Sequence, residues 1–309
     1  MRTLPAITDL EVQGSWRVEV PELSALAPRF REDTDSRELL GVGDRSFTIF
    51  AGAPDPPGEA NISSDLRDSV SRWTLDPGSS SQWEGLAADG AGCAFVLQEH
   101  PGDEKQPSHV FVFAPDLRER LCVIALVVEA GEAEWEKHWS EHENARGEAL
   151  VLLRDGHLLV AKQKDPARFI EFGARGAAAA GLGPSRFLGD HEAFEYPPDP
   201  FVEYEPLASW GVAREHRNEL ETINDLAVSD GRLYAISRDS HLIARLETGA
   251  TPDEDALSVE RRWAVPPDVR HPEGLAIADE RRAIVADDLT AEEDEGGPNV
   301  FVLSGLDRG

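Results

Sequence analysis

Residues 273–288 have the sequence Glu-Gly-Leu-Ala-Ile-Ala-Asp-Glu-Arg-Arg-Ala-Ile-Val-Ala-Asp-Asp, in which two short apolar runs flank a polar turn. This pattern predicts a β-hairpin. The chain contains five such units, and the residues that open them are Glu38, Glu84, Glu148, Asn224 and Glu273. Hairpins repeated at roughly fifty- to seventy-residue intervals are typical of a β-propeller, because one blade cannot cover both of its faces alone.

Further apolar runs extend the units to four strands each. Third runs occupy residues 109–113, 168–172, 241–246 and 299–303, and fourth runs occupy residues 69–75, 121–128, 201–210 and 257–265. We therefore predict an all-β fold, a five-bladed β-propeller with six blades as the alternative, forming a single domain over residues 1–309. A short helical insertion is expected at about 131–144. A long irregular loop at about 173–200 is expected either to fold over the channel rim as a lid or to lie on the surface.

The N-terminal strand is predicted to close the ring. Residues 11–20 alternate between polar and apolar side chains, which is typical of a half-buried strand. The last hairpin ends its third strand at Leu303, with no chain left for a fourth. We expect strand 11–20 to supply that fourth strand, since an open sheet edge would invite aggregation.

The charge of the chain excludes several partners. Its 59 acidic and 30 basic residues give a formal net charge of −29. Such a field repels nucleic acids and anionic membranes, whose binding depends on clustered Lys and Arg. The longest apolar stretch, residues 121–128, is too short to span a bilayer, and no signal peptide is apparent, so we expect a cytoplasmic monomer. Cys93 and Cys122 are expected to be buried packing residues.

Hairpin geometry predicts where chemistry could occur. In an antiparallel pair the start of the first strand lies beside the end of the second, so the five openings should converge at one mouth of the central channel. The residues that end the second strands are Glu99, His100, Lys162, Lys164, Asp165, Arg238, Asp239, Asp287 and Asp288. Two interpretations remain open. The charges could form salt bridges between blades, for example Glu148 with Lys162, or the carboxylates could be hard oxygen ligands for Ca²⁺.

Several stretches resemble a known family. The Glu-Gly-Leu-Ala openings at Glu84 and Glu273, residues 156–166 with 170–173, and residues 224–227 with 233–238 are similar to the SdiA-regulated and phytase-like esterase β-propellers. The resemblance covers roughly residues 84–303. More distantly, the chain resembles the five-bladed calcium-dependent apyrases. Both groups imply Ca²⁺ and, in their enzymatic members, attack on phosphate esters.

The resemblance also implies roles for individual residues. The implied metal ligands are Glu84, Glu148, Asn224 and Glu273. The residues implied to bind an anionic substrate group are Lys162, Lys164, Arg238 and His100. Glu99 or Asp287 would orient or deprotonate a water molecule. Two positions depart from the repeat, because Ala149 replaces a glycine and Asn224 replaces a glutamate.

Two functions are therefore predicted as alternatives. The first is a calcium-dependent hydrolase of a phosphorylated or other anionic small molecule, either a phosphoester hydrolase or a lactonase or esterase. The second is a non-catalytic scaffold that binds a partner protein or small ligand at the same rim. The segment His138-Trp-Ser-Glu-His142 matches an inverted zinc-protease spacing. That chemistry needs a further ligand on a second helix, so we interpret the segment as a surface helix.

Overall fold

The computed structural model describes residues 5–31, 36–53, 61–73, 80–100, 106–129, 131–141, 146–290, 292–293 and 296–306. Its elements, in chain order, are β1 (Ile7–Asp9), β2 (Glu11–Trp16), β3 (Leu23–Arg31), β4 (Ser36–Gly43), β5 (Phe50–Gly52), β6 (Asn61–Ile62), α1 (Arg67–Val70), β7 (Trp83–Ala88), β8 (Ala94–Gln98), β9 (Ser108–Phe113), β10 (Arg120–Leu126), α2 (Glu134–Glu141), β11 (Gly147–Leu152), β12 (Leu158–Lys162), β13 (Arg168–Ala174), β14 (Phe201–Val212), β15 (Asp225–Ser229), β16 (Arg232–Ser237), β17 (Leu242–Leu246), β18 (Ala256–Leu257), β19 (Val259–Ala264), β20 (Pro272–Asp279), β21 (Arg282–Asp287) and β22 (Val300–Ser304).

The strands form a β-propeller, and the predicted all-β class is confirmed. Two four-stranded sheets have the orders β3-β4-β5-β6 and β20-β21-β22-β2, and a five-stranded sheet has the order β15-β16-β17-β19-β1. A nine-stranded sheet runs β7-β8-β9-β10-β14-β13-β12-β11, with β18 beside β14. Strands β3, β7, β11, β15 and β20 contact one another in that order, and β20 returns to β3. These inner strands therefore surround a common axis.

The N-terminal strand lies where the sequence predicts. Strand β2 pairs antiparallel with β22, with Glu11 opposite Ser304 and Trp16 opposite Val300. The strand ends at Trp16 rather than at residue 20, because the Asn299 side chain bonds both the N–H and the C=O of Val18. Strand β1, which the sequence pattern did not predict, adds in parallel to β19.

The prediction for the first hairpin is wrong by one strand. The inner strand is β3, whereas Glu38 lies in the second strand, β4, and its carboxylate accepts a 2.6 Å hydrogen bond from Arg29. Strand β3 escapes the pattern because it is buried along most of its length and contains Pro28. Proline is tolerated there because the strand forms the axial edge of its sheet. The fourth run at 69–75 is also wrong at its start, where α1 is helical, and residues 74–79 lie outside the described residues.

The core lies between adjacent sheets. Trp83, Trp210 and Trp263 are fully buried there, and each such side chain contributes about 2 kcal/mol or more by leaving water. Both cysteines are buried and form no disulfide, as the sequence predicts. Helix α2 lies inside the predicted helical insertion, where it packs Trp135 and Trp139 against a core cluster. Among the described helices, none has the length and apolar character needed to cross a bilayer.

Candidate functional site

The inner strands bring acidic side chains from distant parts of the sequence to one mouth of the channel. We call this group the acidic rim, and its members are Glu22, Asp44, Glu84, Glu99, Glu148, Glu273 and Asp288. The pKa of Glu84 is raised by Asp44, Glu99, Glu273 and Asp288, and that of Glu148 by Glu84, Glu99 and Glu273. The carboxylates therefore lie close enough to repel one another.

Glu84 and Glu148 occupy equivalent positions on the neighbouring strands β7 and β11. A Cβ placed on Gly85 would lie 3.2 Å from the Ala149 Cα and 3.1 Å from Leu97 side-chain atoms. Gly85 therefore permits β7 and β11 to approach closely. Because Gly85 has no side chain, the facing position on β11 can carry the methyl group of Ala149. This explains why Ala149 can replace a glycine.

The carboxylates of Glu84 and Glu148 have no partner of their own. Within the described part of the chain, neither accepts a hydrogen bond nor forms an ion pair. Glu148 is 6% exposed and Glu84 is partly exposed to the channel. Burial, followed by the neighbouring carboxylates, raises the pKa of both groups well above the ordinary glutamate value. Either a proton or a cation is needed to relieve this charge.

The β15 and β20 side of the rim carries its own cation. The Arg238 Nη1 donates to Glu273 Oε1 at 2.6 Å and lies 3.4 Å from Asp288 Oδ2. Its Nη2 lies 3.1 Å from His271 Nδ1, and His271 Nε2 lies 3.0 Å from a Glu293 carboxylate oxygen. Burial raises the pKa of Glu273, and the Arg238 charge opposes that shift. Negative charge is therefore partly neutralised here.

Asn224, another predicted metal ligand, belongs to the same group. Its Oδ1 accepts the backbone N–H of Arg238 at 3.0 Å, and the residue is 4% exposed. The amide oxygen therefore helps to position Arg238. Of the four predicted ligands, Glu84 and Glu148 are unpaired within the described residues, whereas Asn224 and Glu273 both bind Arg238.

Lys162 does not form the salt bridge with Glu148 that the first interpretation predicts. Its ammonium group is fully buried and donates to the backbone carbonyls of Lys164 and Asp165. Burial lowers the pKa of Lys162 to about 8. Lys162 therefore holds its own loop in place, whereas Lys164 is partly exposed and its charge acts on Glu148.

The two carboxylates predicted to orient water both bind backbone amides. Glu99 Oε1 accepts the N–H of Arg146 at 3.1 Å, and the His100 Nε2 lies 3.8 Å from Glu99 Oε2. Asp287 Oδ1 accepts the N–H of His271 at 2.6 Å. Both acids are 2% exposed. Glu99 therefore stabilises the segment before β11, and Asp287 stabilises the segment before β20.

Glu22 and Asp44 are rim residues that the sequence analysis missed. The Arg45 Nε lies 3.0 Å from Glu22 Oε2 and 3.6 Å from Asp44 Oδ1. Burial, assisted by the charge of Glu22, raises the pKa of Asp44 to about 7. The prediction that Glu38 opens the first hairpin hid both residues, because it places the inner strand one strand too late. The signal that could have found them is Glu22 directly before the apolar start of β3.

Asp225 is a second missed residue, and it fastens three inner strands together. It is fully buried on β15, where its Oδ2 accepts the N–H groups of Leu26 at 3.3 Å and of Leu275 at 2.7 Å. These amides belong to β3 and β20, whose axial edges have no strand partner. One carboxylate thus satisfies donors on two other inner strands.

The long loop between β13 and β14 covers the opposite mouth of the channel, so the predicted lid over the acidic rim is wrong. Gly90 donates to the carbonyl of Glu192 at 2.8 Å, and Phe194 donates to Asp89 Oδ2 at 3.0 Å. A Cβ on Gly90 would lie 2.2 Å from the carbonyl carbon of His191, so this contact requires glycine. Between the loop and the far ends of the inner strands lies a chamber of about 80 Å³.

The acidic rim fits a hard cation in its donor chemistry. Carboxylate and amide oxygens are the ligands that Ca²⁺ prefers, and neither the partly exposed Glu84 nor the buried Glu148 forms an ion pair among the described residues. No three acidic, histidine or cysteine side chains of the described residues converge as a preassembled metal site. Of the candidate zinc pair, His138 lies on α2 and His142 lies outside the described residues.

Comparison with known proteins does not identify a family. No protein-family model matches the chain, and no curated protein matches it in sequence. Among solved structures, glutaminyl cyclase from Myxococcus xanthus is 12% identical over 97% of each chain, with a TM-score of 0.49. The PQQ-bound aldose sugar dehydrogenase from Streptomyces coelicolor is 10% identical over 97% of this chain and 99% of that one, with a TM-score of 0.46. At these identities and TM-scores the likeness carries no argument about substrate or reaction.

Proposed function

We propose that the acidic rim binds a divalent cation of the calcium type and that the protein is a cation-dependent hydrolase of a phosphorylated or other anionic small molecule. One observation supports the binding step. The partly exposed Glu84 and the buried Glu148 lie on adjacent strands, without a hydrogen bond or ion pair among the described residues, at the mouth that the long loop leaves open. If both carboxylates stay ionised without a counter-charge, they reduce the stability of the folded protein by several kcal/mol, and a bound cation would remove this destabilisation.

In this proposal, residues around the acidic rim bind the substrate and activate water. A bound cation would polarise a phosphate or ester oxygen and make a water molecule more acidic. Lys164, next to Glu148, and Arg238, next to Glu273, would hold the anionic group of the substrate. Lys162 would keep the loop that carries Lys164 in position. Glu99 acts on both unpaired carboxylates and is the candidate base.

A non-catalytic scaffold is the second candidate. It is favoured by the many rim acids that already bind the fold, since Glu99 and Asp287 accept backbone N–H groups and Glu273 is paired with Arg238. The lack of a preassembled metal group among the described residues points the same way. In this function the rim would bind a partner protein or a small ligand without turnover.

We also propose that the ring has five blades and forms a single domain over residues 1–309. The nine-stranded sheet would be two four-stranded blades that meet at their outer strands, because β10 and β14 pair in parallel whereas strands inside each half pair antiparallel. The closed ring of contacts among the five inner strands supports this count over the alternative of six.

The test separates binding from turnover. Chelator-treated protein is titrated with Ca²⁺ by calorimetry, using wild type, Glu84→Gln, Glu148→Gln and the control Glu280→Gln, an exposed residue on the far turn of β20. The same proteins are assayed with a phosphomonoester and a lactone, with Ca²⁺ or with chelator. We expect the first two variants to lose Ca²⁺ binding and turnover and the control to keep both. Binding without turnover would favour the scaffold, and a wild type that binds no divalent cation would refute the proposal.

A further inference from the structure

A second cavity lies beside the loop that carries Lys164. It has a volume of about 430 Å³, within the range of small-molecule sites. Helix α2 and the ends of β13 and β14 contribute to its walls. Its charged lining comprises two arginines, Arg168 and Arg217, one histidine, and the exposed carboxylates of Glu134, Asp165 and Glu221.

The two guanidinium groups are held at the same end of β14. Arg168 opens β13 opposite Gly211, and its Nη1 donates to the carbonyl of Asp255 at 3.3 Å. Arg217 donates its Nε to the carbonyl of Val212 at 3.2 Å. A Cβ placed on Gly211 would lie 3.5 Å from Arg168 Nη1, so both guanidinium groups lie beside the adjacent residues Gly211 and Val212. Each anchor is a carbonyl, so neither anchor neutralises the positive charge.

Neither arginine forms an ion pair within the described part of the chain, although three carboxylates line the same groove. Burial lowers the pKa of Arg168, the charge of Arg217 lowers it further, and the carboxylates of Asp255 and Glu134 oppose the shift without forming an ion pair with Arg168. Each guanidinium has five N–H donors, and the contacts above use one from each. Two like charges with several unused donors in a partly buried groove match an oxyanion, which Arg binds with well-matched geometry.

We propose that this groove is a binding site for the phosphate group of a small molecule, held between Arg168 and Arg217. The site is independent of any cation at the acidic rim. The net charge of −29 opposes the approach of an anion from a distance, but charges more than about 8 Å apart are largely screened at physiological salt. Inside the groove the two arginines compete with the three exposed carboxylates that line it, and their unused N–H donors are what an anion would bind. Phosphate is favoured over a carboxylate because its two negative charges can match two guanidinium groups.

The proposal is tested by titrating inorganic phosphate into chelator-treated protein at constant ionic strength, with acetate in a parallel titration. The proteins are wild type, Arg217→Gln, Arg168→Gln and the control Arg175→Gln, an exposed arginine that already faces Glu203 and Glu205. Loss of a charge-assisted contact should weaken phosphate binding about tenfold or more in the first two variants and leave the control unchanged. Because Arg217 is exposed, its variant should unfold at the wild-type temperature.

Three outcomes would overturn the proposal. They are a wild type that shows no saturable phosphate binding, an Arg217→Gln variant with unchanged affinity, and acetate binding as tight as phosphate binding, which would indicate a carboxylate site instead. Since chelator is present throughout, these outcomes do not depend on whether the acidic rim binds a cation.

Discussion

Replacement of Glu84 with glutamine should make the stability of the chelator-treated protein less dependent on pH. Burial and four neighbouring carboxylates raise the pKa of Glu84 in the folded state, whereas in the unfolded chain its pKa is near the ordinary glutamate value of 4.5. Above that pH the folded protein therefore binds more protons than the unfolded chain does. Stability from this group is fully present below about pH 4.5 and is lost as pH rises toward the folded pKa.

The magnitude follows from proton linkage. One extra proton on the folded state lowers the free energy of unfolding by about 1.4 kcal/mol for each unit of pH. With an unfolded pKa near 4.5, the loss between about pH 5 and about pH 7 amounts to about 2.5 kcal/mol for a group that stays protonated when folded. Glutamine has nearly the same volume and cannot titrate, so Glu84→Gln should remove this contribution. While Glu84 is protonated, its replacement leaves the charge beside Glu148 unchanged; only at a pH where Glu84 ionises does the variant lower the pKa of Glu148.

Urea unfolding at several pH values, with chelator and at constant ionic strength, measures the effect. The wild type and the Glu280→Gln control should lose stability over this range more steeply than Glu84→Gln does. In a second series, Ca²⁺ at a hundred times its dissociation constant should add about 2.7 kcal/mol to the wild type at neutral pH and little to the variant. Parallel curves for wild type and Glu84→Gln in chelator would refute the reasoning, because they would show that Glu84 carries no perturbed proton.

Three further substitutions test the packing around the channel. Asp225→Ala removes a hydrogen-bond acceptor from three buried backbone N–H groups and should destabilise the protein by about 2–4 kcal/mol in urea, and an unchanged midpoint would show that water replaces the carboxylate. Gly85→Ala forces a methyl group against Ala149 and should cost about 1–3 kcal/mol by the same measurement, unless β7 and β11 can separate. Gly90→Ala would collide with the backbone of His191, so hydrogen exchange should speed up in the long loop while the acidic rim stays protected; unchanged exchange would place the loop elsewhere in solution.

The parts of the fold that could be predicted are those in which the same short sequence pattern recurs. In the units opened by Glu84, Glu148 and Glu273, an acid, a small residue and a leucine follow one another, and in the unit opened by Asn224 the middle residue is Asp225. All four inner strands begin within one position of these opening residues. The first unit lacks this order. Its inner strand, β3, has no Glu-Gly opening and contains Pro28. The sequence pattern therefore predicts the more regular strand β4 as the inner strand.

The partners of long charged side chains could not be predicted. Strand alternation determines on which face of the sheet the Cβ lies, but it does not determine the position of the charged group at the end of the side chain. Lys162 begins close enough to the rim for a salt bridge with Glu148, yet its ammonium turns back to the carbonyls of its own loop. Arg238 does the reverse and reaches across to Glu273 on the next inner strand. Both arrangements depend on the conformation of the intervening loops, on which the hairpin pattern carries no information.

The asymmetry of the channel restricts where a ligand of the rim can lie. The long loop covers one mouth, so a ligand reaches the axis from the acidic side. On that side Arg45 and Arg238 already form ion pairs with Glu22 and Glu273, whereas Glu84 on β7 and Glu148 on β11 form none among the described residues, although the charge of Lys164 acts on Glu148. The proposed cation would therefore be repelled from the arginine side and attracted to the glutamate pair. It would lie off-centre, nearer to Glu84, which would leave Lys164 beside Glu148 to meet the anionic group of a substrate.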